Sequence, residues 1–162
     1  MNREELVHPF EPVYDDASEI LILGSFPSVA SRKMNFYYAH PQNRFWPLMS
    51  LLFEEEILDR KQFCLDHHIA LWDVIHSCSI EGSADASIQE MVPNDIAGLL
   101  EKTKIRAVFT TGTKASQLYD RCIDVNVPHY SLPSTSGANA RMRIDDLLAH
   151  YRKITEVLNE KA

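Results

Sequence analysis

The chain is short of cysteine, of excess positive charge and of long apolar runs, and each shortage closes off a class of function. Its three cysteines, Cys64, Cys78 and Cys122, are widely spaced, with no paired spacing that would seat a zinc ion or an iron–sulfur cluster. An odd, sparse count fits reduced thiols rather than a disulfide scaffold. His67-His68, and His76 near Cys78, complete no four-ligand set, so neither a metal nor another cofactor is expected. No apolar run is long enough to span a bilayer, and Met1-Asn2-Arg3-Glu4-Glu5 lacks the basic-then-apolar order of a secretory leader. A cytoplasmic, intracellular protein without a membrane partner is expected. The formal net charge of −7 argues against a protein that coats nucleic acid nonspecifically, because that affinity comes from Lys and Arg neutralising phosphates. One local basic face is still allowed if Glu54-Glu55-Glu56 and the two Asp-Asp pairs lie away from it. No Gly-x-Ser-x-Gly elbow is present, which removes the commonest serine-hydrolase arrangement.

What is there suits one core. An apolar fraction of 45% over 162 residues is ordinary for a globular chain, and a single domain over 1–162 is expected. No internal repeat or low-complexity linker interrupts it. Four apolar runs read as strands: Ile20 to Leu23 ended by Gly24, Ile69 to Ile75, Ala107 to Thr110 ended by Gly112, and Val127 to Leu132. Continuous runs of this kind suit central parallel strands covered on both faces. Between them lie helical spacings. Leu48, Leu51 and Leu52 follow Pro47; Ile96, Leu99 and Leu100 follow Asn94, a candidate N-cap. Ala115, Leu118, Tyr119 and Cys122 follow Thr113, another cap candidate, and Ile144, Leu147, Leu148, Tyr151, Ile154 and Leu158 form the longest stripe. The alternation predicts an α/β three-layer sandwich with a central four-stranded, mainly parallel sheet flanked by helices. The polar stretch from His76 to Pro93 reads as a long surface loop.

Ligands in such sheets bind beyond the carboxyl ends of the strands, which directs attention to two segments. One runs from Gly24-Ser25-Phe26-Pro27-Ser28 to Trp46; the other is Leu132-Pro133-Ser134-Thr135-Ser136-Gly137-Ala138-Asn139. Within the first, Asn35-Phe36-Tyr37-Tyr38-Ala39-His40-Pro41-Gln42-Asn43-Arg44-Phe45-Trp46 packs five aromatics beside amides, His and Arg, without helix or strand period. Flat aromatic faces stack on bases, and an amide can bond a base edge or hold a water. The plainer alternative is an aromatic loop buried under the sheet, the role expected of Phe45 and Trp46.

Gly24-Ser25-Phe26-Pro27, followed by Phe36, Tyr38, Ala39-His40-Pro41 and Asn43-Arg44-Phe45-Trp46, resembles the first motif of the uracil-DNA glycosylase superfamily. The serine-rich segment after the last strand resembles the second, a loop that enters the DNA minor groove. Mismatch-specific members carry in the first turn an Asn that positions the attacking water. Here that place is Phe26, which cannot orient water, and the Gly-Ser-Phe-Pro turn with Leu-Pro-Ser-Thr-Ser looks like the deoxyinosine (hypoxanthine) glycosylase family. The resemblance implies excision of hypoxanthine, a catalytic amide moved to Asn43, and a partner that is DNA containing deaminated bases; a monomer is expected. Where that family's second loop continues Ser-Pro-Ala-Asn, this chain has Ser136-Gly137-Ala138-Asn139.

The candidate site follows. Asn43 is the catalytic candidate, either holding the water or bonding the purine edge. Gly24, Ser25, Phe26, Pro27, Phe36 and Tyr38 are candidates for the base pocket, with Tyr38 as the stacking ring. Ser28, Arg44, Ser134, Thr135, Ser136, Gly137 and Arg141 are candidates for DNA contact, with Arg143 as a further basic residue. An amide is no general base, so catalysis must rest on positioning and charge stabilisation in the leaving purine. His40, just before Pro41, is read as a structural hydrogen-bonding residue. Lys33 is the sole lysine of the first motif, so hydrolysis without a Schiff-base step is expected. Two rivals stand beside this reading: a uracil or thymine mismatch glycosylase, and an inactive nucleic-acid-binding module of the same fold.

Overall fold

The computed structural model describes residues 4–80 and 89–160. In chain order it contains β1 (Glu4–Val7), β2 (Ile20–Gly24), α1 (Val29–Met34), α2 (Phe45–Phe53), α3 (Arg60–Asp66), β3 (Ile69–Asp73) and β4 (Ile75–Ile80). β5 (Gln89–Pro93), α4 (Ile96–Glu101), β6 (Ala107–Thr111), α5 (Thr113–Cys122), β7 (His129–Leu132) and α6 (Ile144–Asn159) complete it. The four apolar runs become one parallel sheet in the order β3-β2-β6-β7. β2 sits inside it and is buried along its whole length.

Side chains alternate across that sheet, as the pleat requires. Ile20, Ile22, Ile69, Leu71 and Phe109 pack with Phe45, Leu48, Phe63, Leu147, Tyr151 and Ile154, so α2, α3 and α6 cover one face. Leu21, Leu23, Ala70 and Val108 pack with Ile96, Leu99, Leu118 and Tyr119, so α4 and α5 cover the other. The expected three-layer α/β sandwich is what forms.

Four expectations need correcting. The run from Ile69 to Ile75 is not one strand: β3 ends at Asp73, the chain bends at Val74, and β4 departs into a second sheet of order β1-β4-β5. Asn94, expected as a helix cap, stitches that bend instead, its Nδ2 donating to the carbonyls of Asp73 (2.9 Å) and Ile75 (3.1 Å). The cap of α4 is Asp95, which accepts from the Gly98 N–H. Likewise the stretch from His76 to Pro93 is largely paired: β4 runs antiparallel to both β1 and β5, while its middle falls outside the described residues. This small sheet reaches the core through Ile75, Cys78 and Met91, and the polar residues its strands carry between them make it look like a loop. The α5 cap position is Gly112, with Thr113 already helical. The short helices α1 and α3 gave no usable stripe.

Candidate active site at the carboxyl edge of the sheet

Four parallel strands end at one edge, and the residues just beyond them meet in a cleft of about 180 Å³. β2 delivers Gly24 to Ser28, β3 delivers Asp73, β6 delivers Thr111, and the segment after β7 delivers Ser134 to Ser136; Ser31, Tyr37, Tyr38 and Asn43 complete the lining. Both motif segments therefore converge as the sequence required.

The first turn is shaped by helix α1. Ser28 caps it, accepting from Ser31 N–H at 3.1 Å, and Ser31 Oγ accepts from Ala39 N–H at 3.0 Å. Residues 35–38 reverse direction through left-handed backbone at Asn35 (φ 55°) and Tyr38 (φ 54°). For a ring-bearing residue such as Tyr38 this conformation is uncommon and must be imposed by its surroundings. Its ring stacks on Phe45 at 4.0 Å and 15°, and its hydroxyl lies 3.3 Å from Thr111 Oγ1. Phe45, wholly buried in the main core, thus fixes the plane in which Tyr38 lines the cleft. Tyr37 goes inward: its hydroxyl donates to the Glu11 carbonyl at 3.0 Å and its own carbonyl accepts from Trp46 Nε1 at 3.0 Å. Burial first, and the Asp73 carboxylate second, push both phenols well above the usual tyrosine range.

Asn43 is held with its orientation determined. Its Oδ1 lies 2.9 Å from the Phe45 backbone N–H and 2.8 Å from Thr135 Oγ1. A backbone N–H can only donate, so the atom it meets must be the oxygen. With both lone pairs of Oδ1 engaged, Asn43 offers the cleft only N–H donors. The second loop is locked to the same segment. Arg44 N–H donates to the Thr135 carbonyl at 3.0 Å, and the Arg44 guanidinium donates to the carbonyls of Ser136 (2.9 Å), Asn139 (3.0 Å) and Met142. Arg44 is thus turned into the protein, gripping three carbonyls of the loop, and not toward the face where a phosphate was expected. Within that loop Ser134 Oγ accepts from Ser136 N–H, Ser136 Oγ from Ala138 N–H, and Asn139 Nδ2 donates to the Ser134 carbonyl, the local chemistry of a serine-rich turn. Gly137 sits against Gln42, where an added Cβ would come within 3.2 Å of its backbone oxygen.

The remaining expectations sort by position. Gly24, Ser25, Phe26, Pro27, Ser28, Ser134, Thr135 and Ser136 all line the cleft. Phe36 does not; it stacks on Trp46 at 5.9 Å and belongs to the packing around the core. Arg141 is exposed and away from the lining. His40 is a local bonding residue as expected, its Nδ1 accepting from Gln42 N–H at 3.0 Å. Ser31, Thr111, Asp73 and, behind Asp73, His8 were missed. Asp73 lines the cleft while 4% exposed, and His8 Nε2 lies 2.7 Å from its Oδ2. The apolar run containing Asp73 read as a strand interior. The bend at Val74, which makes Asp73 a strand end, was the signal that would have found it.

A parallel α/β sheet whose strand ends open on a polar and aromatic cleft belongs to the α/β class that binds ligands beyond the carboxyl ends of its strands. Residues 11–159 match the family model described as the uracil DNA glycosylase superfamily. The chain is 39% identical over 138 residues, 82% of its length and 87% of the relative's, to a protein of Methanosarcina acetivorans named hypoxanthine DNA glycosylase. A Methanosarcina barkeri protein of the same name is 32% identical over the same shares. The solution NMR structure of a candidate uracil DNA glycosylase from Methanosarcina acetivorans superimposes with a TM-score of 0.75 at 35% identity, covering 90% of this chain and 96% of that one. The chain belongs to the uracil DNA glycosylase superfamily. No helix among the described residues is long and apolar enough to cross a membrane.

Proposed function

We propose that this protein excises hypoxanthine from DNA by hydrolysing the N-glycosidic bond of deoxyinosine, acting as a monomer, in the cytoplasm and transiently on the nucleoid. The nucleotide leaves the stack, at a cost of a few kcal/mol that is smallest at a weakened pair, and its base enters the cleft against Tyr38. Water attacks C1′, the C1′–N9 bond breaks with its electron pair going to the purine, and the water's spare proton passes to solvent. The products are an abasic site and a hypoxanthine that is then protonated. The cleft lining includes no lysine among the described residues, and Lys33 is exposed, which supports hydrolysis without a covalent adduct.

The observation that carries this reading is the direction of the Asn43 amide. Because its oxygen is occupied by Phe45 N–H and Thr135 Oγ, it can only donate, and purines offer acceptors at N3, N7 and O6 where charge collects as the bond breaks. We therefore assign Asn43 to the purine edge rather than to water. Phe26, buried at the position where an amide would hold water, supports the same choice. Names borne by the Methanosarcina relatives favour hypoxanthine over uracil or thymine as the base.

The experiment is base release from oligonucleotides containing a single inosine, uracil or T·G mismatch, with wild type beside Asn43→Ala. Release of hypoxanthine by wild type, largely lost in Asn43→Ala, is expected. Preferred release of uracil or thymine would move the substrate assignment, and no release of any base would leave an inactive binding module.

A further inference from the structure

Taking a nucleotide out of the stack leaves a gap, and the stacking lost there is commonly offset by a side chain inserted in its place. The serine-rich loop, gripped by Arg44, has no side chain of its own long enough for that task. Its tip is Gly137-Ala138, both exposed and carrying a single methyl group between them. Ser134 and Ser136 turn their hydroxyls back to accept from the N–H groups of Ser136 and Ala138, and Asn139 is tied to the Ser134 carbonyl at 3.0 Å. All three polar side chains are spent on the loop itself.

A longer side chain lies directly against that tip. Gln42 is exposed and runs along Gly137: a Cβ at 137 would fall 3.2 Å from Gln42 Cβ, 3.2 Å from its carbonyl oxygen and 3.5 Å from its Oε1. The missing side chain at 137 is therefore what lets Gln42 lie so close to the loop. Its backbone is fixed by the turn that leads into Asn43. Gln42 N–H donates to His40 Nδ1 at 3.0 Å, and Asn43 N–H donates to the His40 carbonyl at 2.9 Å. The side-chain amide, by contrast, has no hydrogen bond among the described residues. Asn43 and Ser136 line the cleft, so Gln42 and Gly137 are the next residues along each segment and stand at its rim. Fixed at its base, backed by Gly137 and open at its polar end, Gln42 is built as an inserted residue would need to be.

We propose that Gln42, carried by the first motif, fills the space a flipped deoxyinosine vacates and bonds the partner base left unpaired, with the Gly137-Ala138 tip as its backing. The partner's hydrogen-bonding edge loses its mate when the nucleotide leaves, and an unpaired polar edge inside a stack is costly. An amide carries both a donor and an acceptor and can turn to meet either pyrimidine, thymine opposite a deaminated adenine or cytosine after replication. An apolar wedge would fill the gap and leave that edge unpaired.

The assignment rests on the hypoxanthine reading, and its test separates the two. Single-turnover hypoxanthine release is measured with full-length protein on a duplex holding one I·T pair, and on the same sequence with the inosine inside a short unpaired bubble, where no pair has to be opened. Gln42→Ala is expected to lose on the order of tenfold on the paired duplex while changing little on the bubble. Gln42→Met, which keeps the length of the side chain without its amide, is expected to fall between wild type and Gln42→Ala on the paired duplex. An equal loss on both substrates would make Gln42 a structural part of the cleft, and no loss on either would show that the gap is filled from elsewhere. Either result overturns the assignment while hypoxanthine is still released, as would a Gln42→Met variant no faster than Gln42→Ala. A wild type that releases no hypoxanthine from either substrate would instead defeat the functional reading, and this inference with it.

Discussion

Replacing Asn43 by Asp isolates the one group on which the proposed chemistry turns. The two side chains are isosteric, and the carboxylate can still accept from Phe45 N–H and from Thr135 Oγ, now 2.9 and 2.8 Å from Oδ1. A negative charge at the first turn of α2 is also favourable to the helix dipole. Stability is therefore expected within about 1 kcal/mol of wild type. Asn43→Ala forfeits both bonds, a cap-like contact and a side-chain bond, and is expected to cost about 1–3 kcal/mol. Activity behaves differently. The substitution turns the only donor face into an acceptor beside a purine that is gaining negative charge. Loss of one donor to a developing anion costs on the order of 10²–10³ in rate, and the added repulsion deepens that loss. Urea melts and single-turnover hypoxanthine release measure the two quantities. The expected pattern is a folded Asn43→Asp variant at least about 100-fold slower on inosine. Activity within tenfold of wild type, or above it, would mean that this side chain handles water as an acceptor and that the donor assignment is mistaken.

Three further outcomes follow from the same geometry. Arg44→Met removes a guanidinium shared by three loop carbonyls and is expected to cost about 1–3 kcal/mol and to raise KM, without reducing the salt slope of DNA binding; a slope smaller by about one would show a phosphate contact instead. Gly24→Ala places a methyl 2.5 Å from Asp73 Oδ1 and is expected to lower inosine excision about tenfold or more with the fold intact by circular dichroism; full activity would show that the carboxylate is free to move. Tyr37, Tyr38 and Tyr151 are all pushed above the ordinary value of 10.0, burial being the first cause for each. The folded state therefore keeps protons that the unfolded state loses, and stability is expected to be present in full below about pH 10 and to fall above it, by up to roughly 1.4 kcal/mol per unit for each such group. Denaturation series from pH 8 to 11 check this, and a flat profile would refute it.

The parallel sheet was legible because its evidence is local. Runs such as Ile20 to Leu23 have no polar face and so must be covered twice, and both helical layers follow from the stripes of α5 and α6. The two motif segments were likewise legible by chemistry, and eleven of the residues singled out there line the cleft or hold it: Gly24, Ser25, Phe26, Pro27, Ser28, Tyr38, Asn43, Ser134, Thr135, Ser136 and, from behind, Arg44. What escaped depends on contacts that no window of sequence contains. Phe36, Tyr37 and Tyr38 are adjacent aromatics, yet left-handed backbone at Asn35 and Tyr38 sends Phe36 against Trp46, while Tyr37, its hydroxyl bonded inward to the Glu11 carbonyl, and Tyr38 both border the cleft. Asp73 is separated from His8 by 65 positions; a strand that stops two residues earlier than the run reads is what brings them together.

Arg44 shows how a residue outside the chemistry can set it. It stands next to Asn43 in the chain, its N–H is bonded to the Thr135 carbonyl, and its guanidinium holds the rest of the serine-rich loop. Thr135 in turn donates to Asn43 Oδ1. The first and second motifs are therefore one hydrogen-bonded body rather than two loops that approach DNA separately. Any displacement of the loop must either carry Thr135 along or break its bond to Asn43. The second course frees one lone pair on the amide oxygen and leaves the Phe45 N–H alone to hold the donor direction on which the proposed leaving-group stabilisation depends. A loop pressed against a duplex thus has a direct mechanical path to the amide, whereas a protein whose Arg44 reached outward to phosphate would have gained one ionic contact and lost that path.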